Sequence, residues 1–287
     1  MLNRSGSGAA SEERVKEGEA SPTHSIPVTT VHAGTRTPHA DLVAVEEPLE
    51  LRLVHGPIDR RTRTALGVTM RTPGQDVELA TGFLLAEGVI REPSDLLEIK
   101  AVEENAVKVE LHPRVQFDPA SARQFTITSA CGVCGARTLE QLERHADPVP
   151  VRTTFAADVI RFLPATLREA QPTFDRTGGL HAAGLFDREG NLQSVWEDVG
   201  RHNAVDKLVG SALLSGRLPL TGGLVFVSGR AGFELVQKAV VAGAEVLAAV
   251  GAPTSLAVAA AERFGLTLLG FVRGERFNIY TGGERIV

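Results

Sequence analysis

The spacing of hydrophobic residues changes several times along this 287-residue chain, and each change predicts a different element. The opening stretch mixes Gly, Ser, Glu and Lys with few large apolar side chains, too few to offset the entropy of ordering them. It predicts a flexible tail over residues 1–33. From Asp41 the pattern turns to short β-rich runs at 49–55 and 66–71, separated by a polar turn at 56–62, which is the pattern of a hairpin. Residues 77–90 then place Leu79, Phe83, Ala86 and Ile90 on one helical face, and strand-like runs follow at 107–111 and 125–127. These elements make residues 34–145 an N-terminal α+β domain that ends in a loop carrying both cysteines.

Two prolines between residues 145 and 151 interrupt the pattern, and Thr153 and Thr154 offer helix caps where it restarts. Residues 146–287 therefore form the second domain. Here strands are expected at 182–186 and 192–196, a helix at 204–214, a buried strand at 223–227 and a glycine-containing turn at 228–232. An Ala-, Val- and Leu-rich helix is expected over 234–250. A further helix at 255–264 is capped by Thr254 and stopped by Gly265, and a strand follows at 266–272. Such alternation predicts a three-layer α/β/α domain.

Charge narrows the function classes. A formal net charge of -5 gives no general attraction to nucleic acid or anionic lipid, so phosphate binding requires a local site. No apolar run has the length of a bilayer span, and residues 1–33 lack a secretory apolar block, which points to the cytoplasm. In a reducing compartment two cysteines three residues apart are not a disulfide framework but a reactive or metal-binding pair.

That pair lies in Cys131-Gly-Val-Cys-Gly135. A zinc site lacks a second cysteine pair or suitably spaced histidines, and a zinc deaminase lacks the His-x-Glu that moves its proton. A thioredoxin-like enzyme would carry its cysteines earlier in the chain. Nucleophilic sulfur chemistry fits best, with Cys131 attacking a donor persulfide and holding the sulfur, and Cys134 assisting or resolving. The residues alone leave the zinc and redox readings open, as well as two small buried side chains.

Polar constellations cluster later. His181 stands at a strand entrance after Gly178-Gly179, where a structural role is the commoner one. Residues 197–207 pack acid, base, amide and imidazole between a strand and a helix, with His202 or Asn203 suited to capping and Asp206 and Lys207 suited to a solvated face. Ser228-Gly-Arg230 ends a strand and opens a helix, a geometry for phosphate without being a Walker A loop. Phe271, Val272, Arg273, Gly274, Glu275 and Arg276, followed by Asn278 and Tyr280, offer rings and guanidinium groups to a nucleotide or pterin, or form a plain hairpin.

Together with Thr81-Gly-Phe-Leu-Leu-Ala-Glu-Gly88, Thr177-Gly-Gly-Leu-His-Ala-Ala183 and Ala252-Pro-Thr-Ser-Leu-Ala257, these segments resemble the formate dehydrogenase accessory sulfurtransferase family (FdhD) from about Asp41 to Tyr280. The resemblance implies a cytoplasmic sulfurtransferase with no cofactor of its own. It would take sulfur from a cysteine desulfurase and pass it to bis-molybdopterin guanine dinucleotide for the formate dehydrogenase catalytic subunit. It also implies a second domain of the cytidine deaminase fold, a homodimer, a persulfide on Cys131 and cofactor contacts over 271–276. To these, His202, Asn203, Ser228 and Arg230 are added as contacts to the guanine dinucleotide. A cofactor-binding chaperone that moves no sulfur is the alternative.

Overall fold

The computed structural model describes residues 21–118, 139–140, 142–143 and 146–287. Strands β1 (Thr23–His32) and β2 (Thr35–Ala44) form a separate antiparallel hairpin. Its two-residue turn, Ala33-Gly34, has both φ angles positive (48° and 82°), the geometry that matches the twist of paired strands. The tail expected through residue 33 is thus corrected from Thr23 onward. Thr, His and Pro dilute the alternation of these strands, and pairing to β2 supplies the order that apolar burial does not.

Strands β3 (Glu47–His55), β4 (Thr62–Arg71), β5 (Leu96–Glu103) and β6 (Ala106–Leu111) make a four-stranded sheet in the order β4-β3-β6-β5. The side chains Leu49, Leu51, Leu53, Val107, Val109 and Leu111 all point to one face and are buried there with helix α1 (Asp76–Ala86).

The second half is built on a six-stranded sheet in the order β12-β11-β10-β9-β7-β8. Its strands are β7 (His181–Phe186), β8 (Leu192–Asp198), β9 (Leu224–Val227), β10 (Val246–Ala249), β11 (Thr267–Arg273) and β12 (Arg276–Thr281). Strands β9, β10 and β11 are parallel, and β7, β8 and β12 complete the sheet with antiparallel pairings. Alternate residues enter two different cores. Ala182, Phe186, Leu224, Phe226, Val246, Ala248 and Leu269 meet helix α2 (Ala157–Glu169) on one face. Ala183, Leu185, Val225, Val227, Leu247, Ala249 and Leu268 meet α4 (Arg201–Leu214), α5 (Phe233–Val241) and α6 (Ser255–Phe264) on the other. This is the expected α/β/α layering. A short helix, α3 (Pro172–Thr177), leads from α2 into β7.

Three further expectations are corrected. The helix expected over 77–90 ends at Ala86, and Gly88 turns the chain with φ 70°. The helix expected over 234–250 ends at Val241, Gly243 turns the chain with φ 72°, and 246–249 become β10. Val246 to Ala249 are fully buried between two parallel neighbours, and an apolar run of that kind has no period to separate it from a buried helix. Thr153 does not cap a helix either; its backbone N–H and hydroxyl bind the buried Glu245, and α2 starts at Ala157.

The halves of the chain share one core. Helices α1 and α4 cross at glycines: a Cβ on Gly82 would lie 2.0 Å from the Asp206 carbonyl oxygen, and one on Gly210 would lie 1.9 Å from that of Glu78. Backbone touches backbone there, which is why the Thr81-Gly82 step is built from small residues.

Candidate functional site

The carboxyl ends of β9, β10 and β11, the start of β7 and the end of β8 meet at one edge of the central sheet. Ligands of open α/β sheets bind at such an edge where the strand order reverses, here between β7 and β9. Helices α4, α5 and α6 also begin there, at Gly200, Gly232 and Thr254, so the positive ends of three helix dipoles point the same way. Their loops are tied together. Gly251 donates its N–H to the Gly229 carbonyl (2.9 Å), Phe271 to that of Gly251 (3.1 Å), and the Arg273 guanidinium to that of Val250 (3.1 Å). Phe271 itself holds a left-handed φ of 54°, a strained conformation for a non-glycine residue and one that concentrates at functional sites.

Positive charge gathers at this edge. Gly229 packs against the His181 ring and the Arg201 side chain, and Arg230 is exposed beside them. Burial, with the Arg201 charge second, lowers the pKa of His181. The same causes act on His202, where burial, then Lys238 and Arg201, hold the ring down to about 4. His202 is therefore neutral near pH 7, and its Nε2, 3.8 Å from the Glu234 carboxylate, makes no ion pair there.

Beneath the edge, the polar cluster read at residues 197–207 joins the two halves. Asp198 Oδ2 meets Lys207 Nζ at 2.8 Å, both side chains being fully buried, and accepts the Thr72 N–H at 3.2 Å. Its Oδ1 accepts from the Gly200 N–H (2.8 Å) and from Asn203 Nδ2 (2.9 Å). Asn203 Nδ2 also donates to the Met70 carbonyl at 2.8 Å, and Lys207 Nζ to the Thr72 carbonyl at 3.2 Å. Next to Lys207 in the chain, Asp206 pairs with Lys238 at 2.6 Å. Burial outweighs the lysine and pushes the Asp206 carboxyl up to about 6. The solvated face expected for Asp206 and Lys207 is corrected: both are buried, Lys207 against the Thr72 carbonyl just past β4 and Asp206 against Lys238 of α5, tertiary contacts that local spacing does not encode.

On the α2 side of the edge lies a pocket of about 460 Å³. Leu167, Leu180, Phe226 and Val250 make its apolar floor, and Arg168, Phe174, His181 and Ser228 its rim. The Arg168 guanidinium sits 4.5 Å from the centre of the Phe174 ring, a cation–π contact. Ser228, just past the end of β9, is oriented by the neighbouring strand β7, its hydroxyl accepting the Ala182 N–H at 2.9 Å.

The edge brings together His202, Ser228, Arg230, Phe271 and Arg273. Asn203 lies just below, its amide committed to the junction, and Val272 is buried under α2. Gly274 turns the β11–β12 hairpin with φ 53°; of its neighbours, Glu275 pairs with Arg161 at 3.0 Å and Arg276 is exposed. Cys131 and Cys134 lie outside the described residues. On either side of them, Phe117 packs edge-on against His55 at 4.9 Å, and Glu143 pairs with Arg263 near the end of α6. Sequence reasoning missed the Phe174 and Arg168 wall, because neither residue belongs to a motif and only the fold of α2 onto α3 brings them together.

The sequence model of the FdhD/NarQ family matches residues 44–287. Similar proteins named sulfur carrier protein FdhD occur in Streptomyces coelicolor, 47% identical over 90% of this chain and 94% of that protein, and in Mycobacterium tuberculosis, 48% identical over 90% and 98%. The one in the archaeon Saccharolobus solfataricus is 44% identical, covering 86% of this chain and 91% of its own length. A crystal structure from Desulfotalea psychrophila, provisionally described as a formate dehydrogenase accessory protein, superposes with a TM-score of 0.74 and 28% identity over 93% of this chain and all of that one. The chain belongs to the FdhD/NarQ family.

Proposed function

We propose that this protein is a sulfur carrier in formate dehydrogenase maturation: it accepts sulfur from a cysteine desulfurase on Cys131 and delivers it to the molybdenum of bis-molybdopterin guanine dinucleotide. Sulfur carriage is supported by the relatives, which bear the name sulfur carrier protein. The observation that carries the cofactor half of the reading is the sheet edge. Three helix N-termini, Arg201, Arg230 and Arg273 suit a pyrophosphate, and the adjacent pocket with its aromatic and guanidinium rim suits a planar ring. The three-layer domain with its ligand edge is also consistent with the cytidine deaminase-like fold implied by the family.

In the first step the Cys131 thiolate attacks the outer sulfur of the donor persulfide. A new S–S bond forms as the donor S–S bond breaks, and the desulfurase cysteine leaves as thiolate. For release as sulfide, Cys134 attacks the inner sulfur of the Cys131 persulfide. The Cys131–Cys134 disulfide forms, and its two thiol sulfurs supply the electrons that leave with the hydrosulfide. Burial holds His202 and His181 below the ordinary imidazole value, so the positive charge that the edge offers an anionic ligand comes from the arginines and the helix ends.

Alanine substitution in a formate dehydrogenase maturation assay tests both halves. The reading expects Cys131→Ala and Arg273→Ala each to abolish maturation. Full maturation by Cys131→Ala alongside failure of Arg273→Ala establishes instead a chaperone that moves no sulfur.

A further inference from the structure

One wall of the pocket is formed by α3, a helix of only six residues whose N-cap residue, Gln171, makes no side-chain capping bond. Its first residue, Pro172, has no N–H, and the next two N–H groups, of Thr173 and Phe174, both donate to one carboxylate reaching over from β8. Glu197 accepts them at 3.0 and 2.8 Å, one on each oxygen. At the other end Gly178, in a left-handed conformation (φ 65°), donates to the Phe174 carbonyl at 2.7 Å and stops the helix. Phe174 is thus fixed through both of its backbone polar groups. Its ring in turn seats the Arg168 guanidinium, which also pairs with Asp175.

We propose that Glu197 is a positioning residue for nucleotide recognition: by clamping the start of α3 it holds the Phe174–Arg168 wall at the spacing that accepts the planar ring of a purine nucleoside diphosphate. The proposal rests on the cofactor reading of this edge and gives Glu197 a role in it that needs no contact with the ligand. Glutamine at 197 keeps the size of the side chain but presents an NH₂ group to one of the two backbone donors, so one bond is replaced by an unfavourable donor–donor contact. Aspartate keeps both acceptors on a shorter stem.

The experiment is calorimetric titration of the full-length chain with guanosine diphosphate. Wild type is compared with Glu197→Gln, Glu197→Asp, Phe174→Ala and the Glu197→Gln/Phe174→Ala double variant. The emission of Trp196, the only tryptophan, serves as the check on folding because its ring packs into the core on the other face of the sheet. The expected result is an affinity about tenfold lower in Glu197→Gln with unchanged Trp196 emission, partial recovery in Glu197→Asp, and no added loss when Glu197→Gln is combined with Phe174→Ala. Wild-type affinity in Glu197→Gln, or fully additive losses in the double variant, overturns the role of Glu197 and leaves the cofactor reading standing. A wild-type chain that binds no guanosine diphosphate overturns the cofactor reading, and the role of Glu197 with it.

Discussion

Two buried lysine–aspartate pairs meet at adjacent residues of α4, Lys207 with Asp198 of β8 and Asp206 with Lys238 of α5, and they are satisfied very differently. Asp198, paired with Lys207, receives four donors, from Thr72, Gly200, Asn203 and the lysine itself, and Lys207 further reaches the carbonyls of Thr72 and Glu197. Asp206, paired with Lys238, has the lysine as its one hydrogen-bond partner among the described residues. Both pairs pay for desolvation, but only the first recovers it with a full set of hydrogen bonds. The first is a rigid clamp between the halves of the chain. The second holds a carboxyl raised to about 6, in a group with Glu87, Glu234 and the neutral His202 directly under the ligand edge.

The largest effect is expected from breaking the clamp. Lys207→Met leaves Asp198 charged and buried, and should lower the unfolding free energy by roughly 3–5 kcal/mol in denaturant titrations. Smaller losses should follow when α1, which packs on α4 at two glycines, is pushed outward. Gly82→Ala or Gly210→Ala forces a Cβ against backbone and should cost about 1–3 kcal/mol in the same measurement.

The second pair should respond to pH. In the folded chain the Asp206 carboxyl titrates above its unfolded value, so the folded state binds the extra proton and stability falls as pH rises from about 4 to about 6. Removing Lys238, whose charge partly counters the burial, should raise this carboxyl further and extend the fall to higher pH, so that Lys238→Met loses more stability than wild type between about pH 4 and neutrality. His202 acts with the opposite sign. Its folded value of about 4 lies below the unfolded one, so the unfolded chain takes up the proton and stability is lost as pH falls from about 6.5 toward 4. Glutamine at 202 should therefore give the smallest effect of the series, a flatter loss of stability on acidification, read from unfolding curves collected across that range.

The same contrast explains what was legible in the sequence. Elements whose apolar period is local, such as β3 and α6 with its Thr254 cap and Gly265 stop, follow the pattern closely, whereas α1, buried on all sides from Leu79 to Ala86, stops short of the expected Ile90. The strand at 246–249 was not legible, because a run buried on both faces has no period. In the candidate site, the density of polar groups over 197–207 stood out, but which of them face a ligand did not. Asp198, Asn203 and Lys207 turn inward because Met70 and Thr72, more than a hundred residues earlier, supply their partners. Likewise Glu197 reads as one acid among several until α3 folds against β8 and presents two N–H groups to it.

The central claim is that Cys131 carries the sulfur, and intact-protein mass spectrometry after incubation with a cysteine desulfurase and cysteine tests it most directly. The account predicts a mass gain of one sulfur atom that dithiothreitol removes, present in the wild-type chain and in Cys134→Ala and absent from Cys131→Ala. A wild-type chain that gains no labile sulfur, or a Cys131→Ala chain that gains as much as wild type, would contradict it.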